Sequence, residues 1–274
     1  MSAIDGIIYA TKSDCYQEGE RQDIKRIIVH STGCNNPNLK RYVQPDDGKI
    51  GKNRYNNSWN EPDTDVCVHC AIGKDKDGNV KTYQVLPFYY RAWGVYQGVN
   101  GSWNNGSIQF EMLEDDLSDK DYCKKCFDKA VELCAYLCKE YNIPVSQIFS
   151  HNECGKMGYG SQHIDPDNWW GKHGYTMDKF RSAVKDFMTP KVLDKSGYKK
   201  GDATIGSLAL KELLLYAKKV GLHSCGLDEN EHVGDGTIRA INAMLKKWGY
   251  AQNGIAGKAF ILKLANDIRK YARK

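Results

Sequence analysis

Between Ser150 and Trp170 the chain reads SHNECGKMGYGSQHIDPDNWW, which sets His151, His163 and Asp165 in a glycine-rich stretch ending in Asp165-Pro166 and two tryptophans. Far upstream, RIIVHST places His30 at the end of an apolar run, followed by small polar residues. Three protein ligands with a fourth position open is the pattern of catalytic zinc; a closed structural site takes four. Zinc makes water a nucleophile near neutral pH, and the chemistry then needs a carboxylate to move the water's proton. Glu111, in SIQFEML, has the right side chain for that role, although alone it reads as a solvent-facing strand glutamate. The plainer reading of the histidines is a polar surface loop and a hydrogen-bonded structural imidazole. His69, between Cys67 and Cys70, reads first as a core histidine. His173, His223 and His232 have no companions and read as surface.

The elements that must position these groups follow from hydrophobic periodicity. DIKRIIVHST predicts a strand over Ile24–His30, and DVCVHCAIG and NVKTYQVL predict two more, joined by a hairpin turn at Asp77-Gly78. SIQFEML predicts a fourth, with Ile108, Phe110 and Met112 on one face and Gln109, Glu111 and Leu113 on the other. A long helix is expected over Asp119–Tyr141, N-capped by Ser118 with Asp121 completing a capping box, and ended by Asn142 and Pro144. TMDKFRSAVKDFM predicts a closing helix, so residues 1–189 form an α/β domain. TPKVLDKSGYKKGD marks a linker over 190–203. Beyond it, Leu210/Leu213/Leu214/Ala217, Ile238/Ile241/Leu245/Trp248 and Ile261/Leu264/Ala265/Ile268 predict a small all-α three-helix domain over 204–274.

With 41% apolar and 27% charged residues, the 274-residue chain can build one sizeable domain and a small one. It has no run near the ~18 apolar residues of a membrane span. The opening MSAIDGIIYATKSD lacks a basic region followed by an apolar one. The expectation is therefore a chain made in a cytoplasm without a signal peptide or membrane insertion. Two C-x-x-C pairs, Cys67/Cys70 and Cys123/Cys126, raise a zinc ribbon. They read instead as core cysteines, the first pair in a strand and the second in a helix whose Cys126, Ala130, Leu133, Cys134 and Leu137 share one face. Charge is uneven: residues 191–274 carry 16 Lys+Arg against 8 Asp+Glu, a net of +8, and the other 23 and 26 leave residues 1–190 at −3. A basic surface suits nucleic acid, anionic lipid or an anionic cell wall. With no nucleic-acid motif and no interleaving of basic and aromatic residues, nucleic acid is the poorest of these. PFYYRAWGVYQGVNGSW supplies Tyr89, Tyr90, Trp93, Tyr96 and Trp103 for stacking on sugars, and Arg91 for a carboxylate, or else for core packing. Trp169 and Trp170 read as core anchors that fix where Asp165 points.

Taken in order, IIVHST, VCVHCAIGKDKDGNVKTYQVLP, the AW of RAWG, NNGSIQFEM and SHNEC…SQHIDPDNWW resemble the type 2 family of zinc-dependent N-acetylmuramoyl-L-alanine amidases, whose fold is shared with peptidoglycan recognition proteins. Among these the chain looks most like phage endolysins of Gram-positive, clostridia-like hosts. The resemblance implies a central mixed β-sheet flanked by helices and a Zn2+ cofactor held by His30, His151 and Asp165. It also implies Glu111 as catalytic base, and bacterial peptidoglycan, glycan and stem peptide, as substrate. His163 stands where the family has a lysine that stabilises the oxyanion; it is also a rival for the third ligand position. Gly94 stands where the family often has histidine after tryptophan. Trp93, Arg91, Tyr96 and His69 are the expected substrate contacts. The turns with Gly234, Gly236 and Thr237, and with Asn253, Gly254 and Gly257, resemble those of peptidoglycan-binding domains, which extends the expected partners to anionic secondary wall polymers. The alternative is a non-catalytic recognition protein that has lost the metal; the retained aspartate argues against it.

Overall fold

Alternation along two neighbouring strands organises the first part of the molecule. In β2 (Arg26–Ser31), Ile27 and Val29 face the main core; in β5 (Ser107–Met112), Ile108, Phe110 and Met112 do the same. The intervening residues, Ile28 and His30 on one strand and Gln109 and Glu111 on the other, emerge on the opposite face. The two strands pair in parallel with His30 beside Glu111, so the register alone sets an imidazole next to a carboxyl.

The computed structural model describes residues 3–188 and 197–271, in two units, Met1–Met188 and Thr189–Lys274. The first unit runs β1 (Gly6–Ile7), α1 (Asp14–Glu18), β2, α2 (Leu39–Tyr42), β3 (Cys70–Lys74), β4 (Val80–Gln84), β5, α3 (Lys120–Glu140), β6 (Ile148–Ser150), α4 (His151–Lys156), α5 (Asp167–Lys172) and α6 (Met177–Met188). The sheet order is β1-β4-β3-β5-β2-β6; β3 and β4 are the antiparallel pair, and the rest is parallel. This is the expected mixed sheet with flanking helices. Helix α3 buries Cys126, Phe127, Ala130, Leu133, Cys134 and Leu137 against the core face, joined by Phe180 and Val184 of α6. Trp169 and Trp170 of α5 are fully buried in the same cluster, Trp170 against Phe127 and Phe180. They anchor the chain just after Asp165.

Three local expectations change. Ser118 does not cap α3. Its hydroxyl and N–H both go to Asp116 Oδ1, which leaves Asp119 to accept the Tyr122 N–H at 2.9 Å. A carboxylate there also meets the positive end of the helix dipole. Cys67 precedes β3 and is disulfide-bonded to Cys15, so it is not a free core thiol, whereas Cys70, Cys123 and Cys126 are buried and free. The stretch expected to be a loop after Ser150 begins with helix α4, because Ser150 and Glu153 form a capping box.

The second unit has β7 (Gly197–Tyr198), α7 (Ile205–Lys219), α8 (Asp235–Lys247), β8 (Ala256–Gly257) and α9 (Lys258–Tyr271), with β7 and β8 paired. The three helices enclose Leu210, Leu214, Ile241, Met244, Phe260 and Leu264. Of the expected linker, residues 190–196 lie outside the described residues. Tyr198 is no linker residue, since it is fully buried in this core. His223 is half-buried rather than on the surface: its Nε2 bonds the Leu214 carbonyl at 2.9 Å. Among the described residues no helix is long and apolar enough to cross a membrane.

Candidate metal centre

His30 reaches the site from the end of β2, His151 from the first turn of α4 and Asp165 from the bend before α5. All three are buried. Their donor atoms converge: His30 Nδ1 and His151 Nδ1 are 3.1 Å apart, and each is 3.4 Å from an Asp165 carboxylate oxygen. The two 3.4 Å distances reach different oxygens, Oδ2 from His30 and Oδ1 from His151, and one donor atom from each residue lies within 4.8 Å of the others, close enough for the three to share one ion.

The hydrogen bonds around the triangle test the fit more sharply. Gln109 donates its Nε2–H to Asn104 Oδ1 at 3.0 Å, which turns its Oε1 toward His30 Nε2, also at 3.0 Å. That oxygen can only accept, so His30 carries its proton on Nε2 and Nδ1 is bare. Ser161 donates its hydroxyl proton to the Val95 carbonyl at 3.3 Å and accepts from His151 Nε2 at 3.2 Å, so His151 Nδ1 is bare as well. Asp165 takes the Ser31 N–H on Oδ2 at 3.4 Å. Two imidazole lone pairs and a carboxylate therefore point at one another with no proton between the nitrogens. A cation satisfies that arrangement, and these residues fit zinc.

Glu111 lines the same cavity, of about 640 Å3, together with His30, His151, His163 and Asp165. Its Oε2 is buried and makes no hydrogen bond. Burial, then the nearby charges of Asp165 and Glu114, push its pKa well above the ordinary value. An unpartnered carboxyl beside a metal-ligand triangle is the arrangement a proton-transfer group needs. His163 is 55% exposed; its ring stacks on His151 at 4.2 Å and its Nδ1 lies 3.2 Å from Asp165 Oδ1. It stands beside the three-donor cluster, not within it.

Trp93, Arg91 and Tyr96 line an adjoining cavity that shares Val66, Gly94, His151 and His163 with the first. Tyr96 is 76% exposed, whereas Arg91 is already paired with Glu20. His69 lines neither cavity. It is fully buried, accepting the Gln109 N–H on Nδ1 at 3.0 Å and bonding the Tyr90 carbonyl through Nε2 at 2.8 Å. Its expected substrate contact is thus corrected to a structural role. Gln109, Asn104 and Ser161 were missed by sequence reasoning; only Gln109 carried a signal, from sharing a strand face with Glu111.

A model of the family described as N-acetylmuramoyl-L-alanine amidase matches residues 20–168. N-acetylmuramoyl-L-alanine amidase CwlA from a Bacillus species is 33% identical over 101 residues, covering 37% of this chain and 38% of that protein, so the match spans well under half of that relative. Among solved structures, PlyL aligns at a TM-score of 0.47 and 22% identity over 67% of this chain and 97% of that one. Staphylococcus aureus hydrolase AmiA in complex with its ligand aligns at 0.47 and 17% over 69% and 85%. With the family match covering more than half of its length, the chain belongs to the N-acetylmuramoyl-L-alanine amidase family.

Proposed function

We propose that this chain is a zinc-dependent peptidoglycan amidase that hydrolyses the bond between the muramic acid lactyl group and L-alanine. The observation that carries the reading is the convergence of donors from His30, His151 and Asp165, one from each residue lying within 4.8 Å of the others. These three residues would hold the ion. Zinc there lowers the pKa of water toward about 7 and polarises a carbonyl.

The chain's own groups supply the rest. Glu111, whose buried Oε2 has no hydrogen-bond partner, takes the proton of the attacking water and delivers it to the departing amine. His163, tethered through Nδ1 to Asp165, has its other nitrogen to offer. When protonated it donates to the oxyanion, the role the family gives to lysine. Trp93 and Tyr96 offer faces to the glycan in the adjoining cavity. Residues 204–274 act as a cell-wall-binding domain whose basic surface meets wall polyanions.

The test is metal analysis of the purified protein combined with mass analysis of digested wall. One zinc per chain, and new alanine amino termini beside lactyl-bearing glycan, are expected. Wall binding without cleavage by a metal-free chain would establish the recognition-protein reading instead.

A further inference from the structure

The tautomers of both metal-centre histidines trace back to the backbone N–H and carbonyl of one residue, Val95. The Val95 N–H donates to Asn104 Oδ1 at 3.0 Å. A backbone N–H cannot accept, so Asn104 must present its oxygen there. The same oxygen takes the Gln109 Nε2–H, and Gln109 Oε1 is left for His30. On its other side, the Val95 carbonyl accepts from Ser161 N–H at 2.8 Å and from Ser161 Oγ–H at 3.3 Å, which leaves the hydroxyl oxygen to accept from His151. Val95, Asn104 and Gln109 are buried, so water does not readily substitute for a lost link. Gly94 completes the device, because a Cβ there would sit 2.4 Å from Gln109 Oε1. That gives a physical reason for glycine where a side chain was expected after Trp93.

We propose that the backbone of Val95 positions His30 through its N–H, Asn104 and Gln109, and His151 through its carbonyl and Ser161, by fixing each imidazole with its bare nitrogen toward the metal, and that Gly94 is required for this relay. The proposal rests on the zinc reading of the site. It names positioning residues: Asn104 and Gln109 touch neither metal nor reacting atoms.

The test pairs two readouts on the full chain. Nitrogen-15 spectra of histidine-labelled, metal-free protein report the tautomers, and competition with a chelator reports the zinc Kd. In the wild type His30 is expected in the single Nε2–H form. Asn104→Leu removes the acceptor and Gly94→Ala displaces the Gln109 amide. Each is expected to weaken zinc binding about 10–100-fold and to mix the His30 tautomers. Asn104→Asp keeps an acceptor for both donors and is expected to stay within about threefold of wild type, an asymmetry that loss of packing would not produce. The relay is overturned if Asn104→Leu keeps wild-type zinc affinity and a single tautomer, or if Asn104→Asp loses as much as Asn104→Leu. The spectra need no metal. A wild type that binds no zinc refutes the zinc assignment, while the relay is still decided by the imidazole signals.

Discussion

His69 makes the fold sensitive to mild acid. It is buried and neutral, its Nδ1 accepts the Gln109 N–H at 3.0 Å, and burial lowers its pKa from 6.5 to about 4. Protonation would set two donors face to face on the strand that carries Gln109 and Glu111. Because the folded-state pKa is depressed, the stability is fully present above pH 6.5 and is lost as pH falls toward 4. At pH 4.5 an unfolded imidazole is almost wholly protonated and the native one about one-quarter. Linkage then puts the loss at about 2–3 kcal/mol, a large fraction of a typical stability of about 5–15 kcal/mol. The perturbation is His69→Asn, whose amide oxygen can accept from Gln109 but does not titrate. Urea unfolding of both proteins at pH 7 and pH 4.5, with chelator present, gives the comparison. The wild type should lose about 2–3 kcal/mol more than the variant across that interval. Carboxylates titrate in both proteins and cancel. Equal losses would refute the reasoning, because His69 would then titrate alike in the folded and unfolded chain.

Glu111→Gln should lower kcat by about 10²–10⁴-fold with zinc content unchanged. Since burial makes the ionised carboxyl costly, the metal-free variant should also melt above the wild type at pH 7, as calorimetry can check. Zinc at about 100 times its Kd should stabilise the protein by about 2.7 kcal/mol, raising Tm by about 5–10 °C in a unit of this size, and chelation should reverse the shift. His163→Ala should lower kcat about 10²–10³-fold without changing the zinc Kd, and His163→Lys should restore activity; loss of zinc in either variant would make His163 a ligand. Trp170→Ala should cost about 3–5 kcal/mol, read by urea unfolding, whereas Trp170→Phe keeps most of the ring contacts and should cost under about 1.5 kcal/mol.

Much of the fold was legible because β2 carries a short apolar run, β5 alternates at period two and α3 repeats its apolar residues at 3.6. Alternation in SIQFEML separated Phe110 from Glu111 before any register was known, and the β2–β5 pairing then put Glu111 beside His30. What stayed hidden depended on partners distant in sequence. His69 read first as a core histidine and was placed in the cleft only by the resemblance; its partners, the Gln109 N–H and the Tyr90 carbonyl, lie far from it in sequence. The N-cap of α3 passed to Asp119 because Asp116 captured Ser118, a local competition between polar side chains that periodicity does not register. The Cys15–Cys67 bond joins residues 52 apart, and no spacing rule signalled it. Asn104 and Ser161 open the stretches NNGSIQFEM and SQHIDPDNWW, yet nothing in those stretches marks them, since their importance lies in which of their atoms donates and which accepts.

The most direct measurement is X-ray absorption at the zinc edge on the zinc-loaded protein. The account requires nitrogen and oxygen neighbours at about 2.0–2.2 Å, with the outer-shell scattering of two imidazoles. A sulfur shell near about 2.3 Å, or failure to retain stoichiometric zinc, would contradict it.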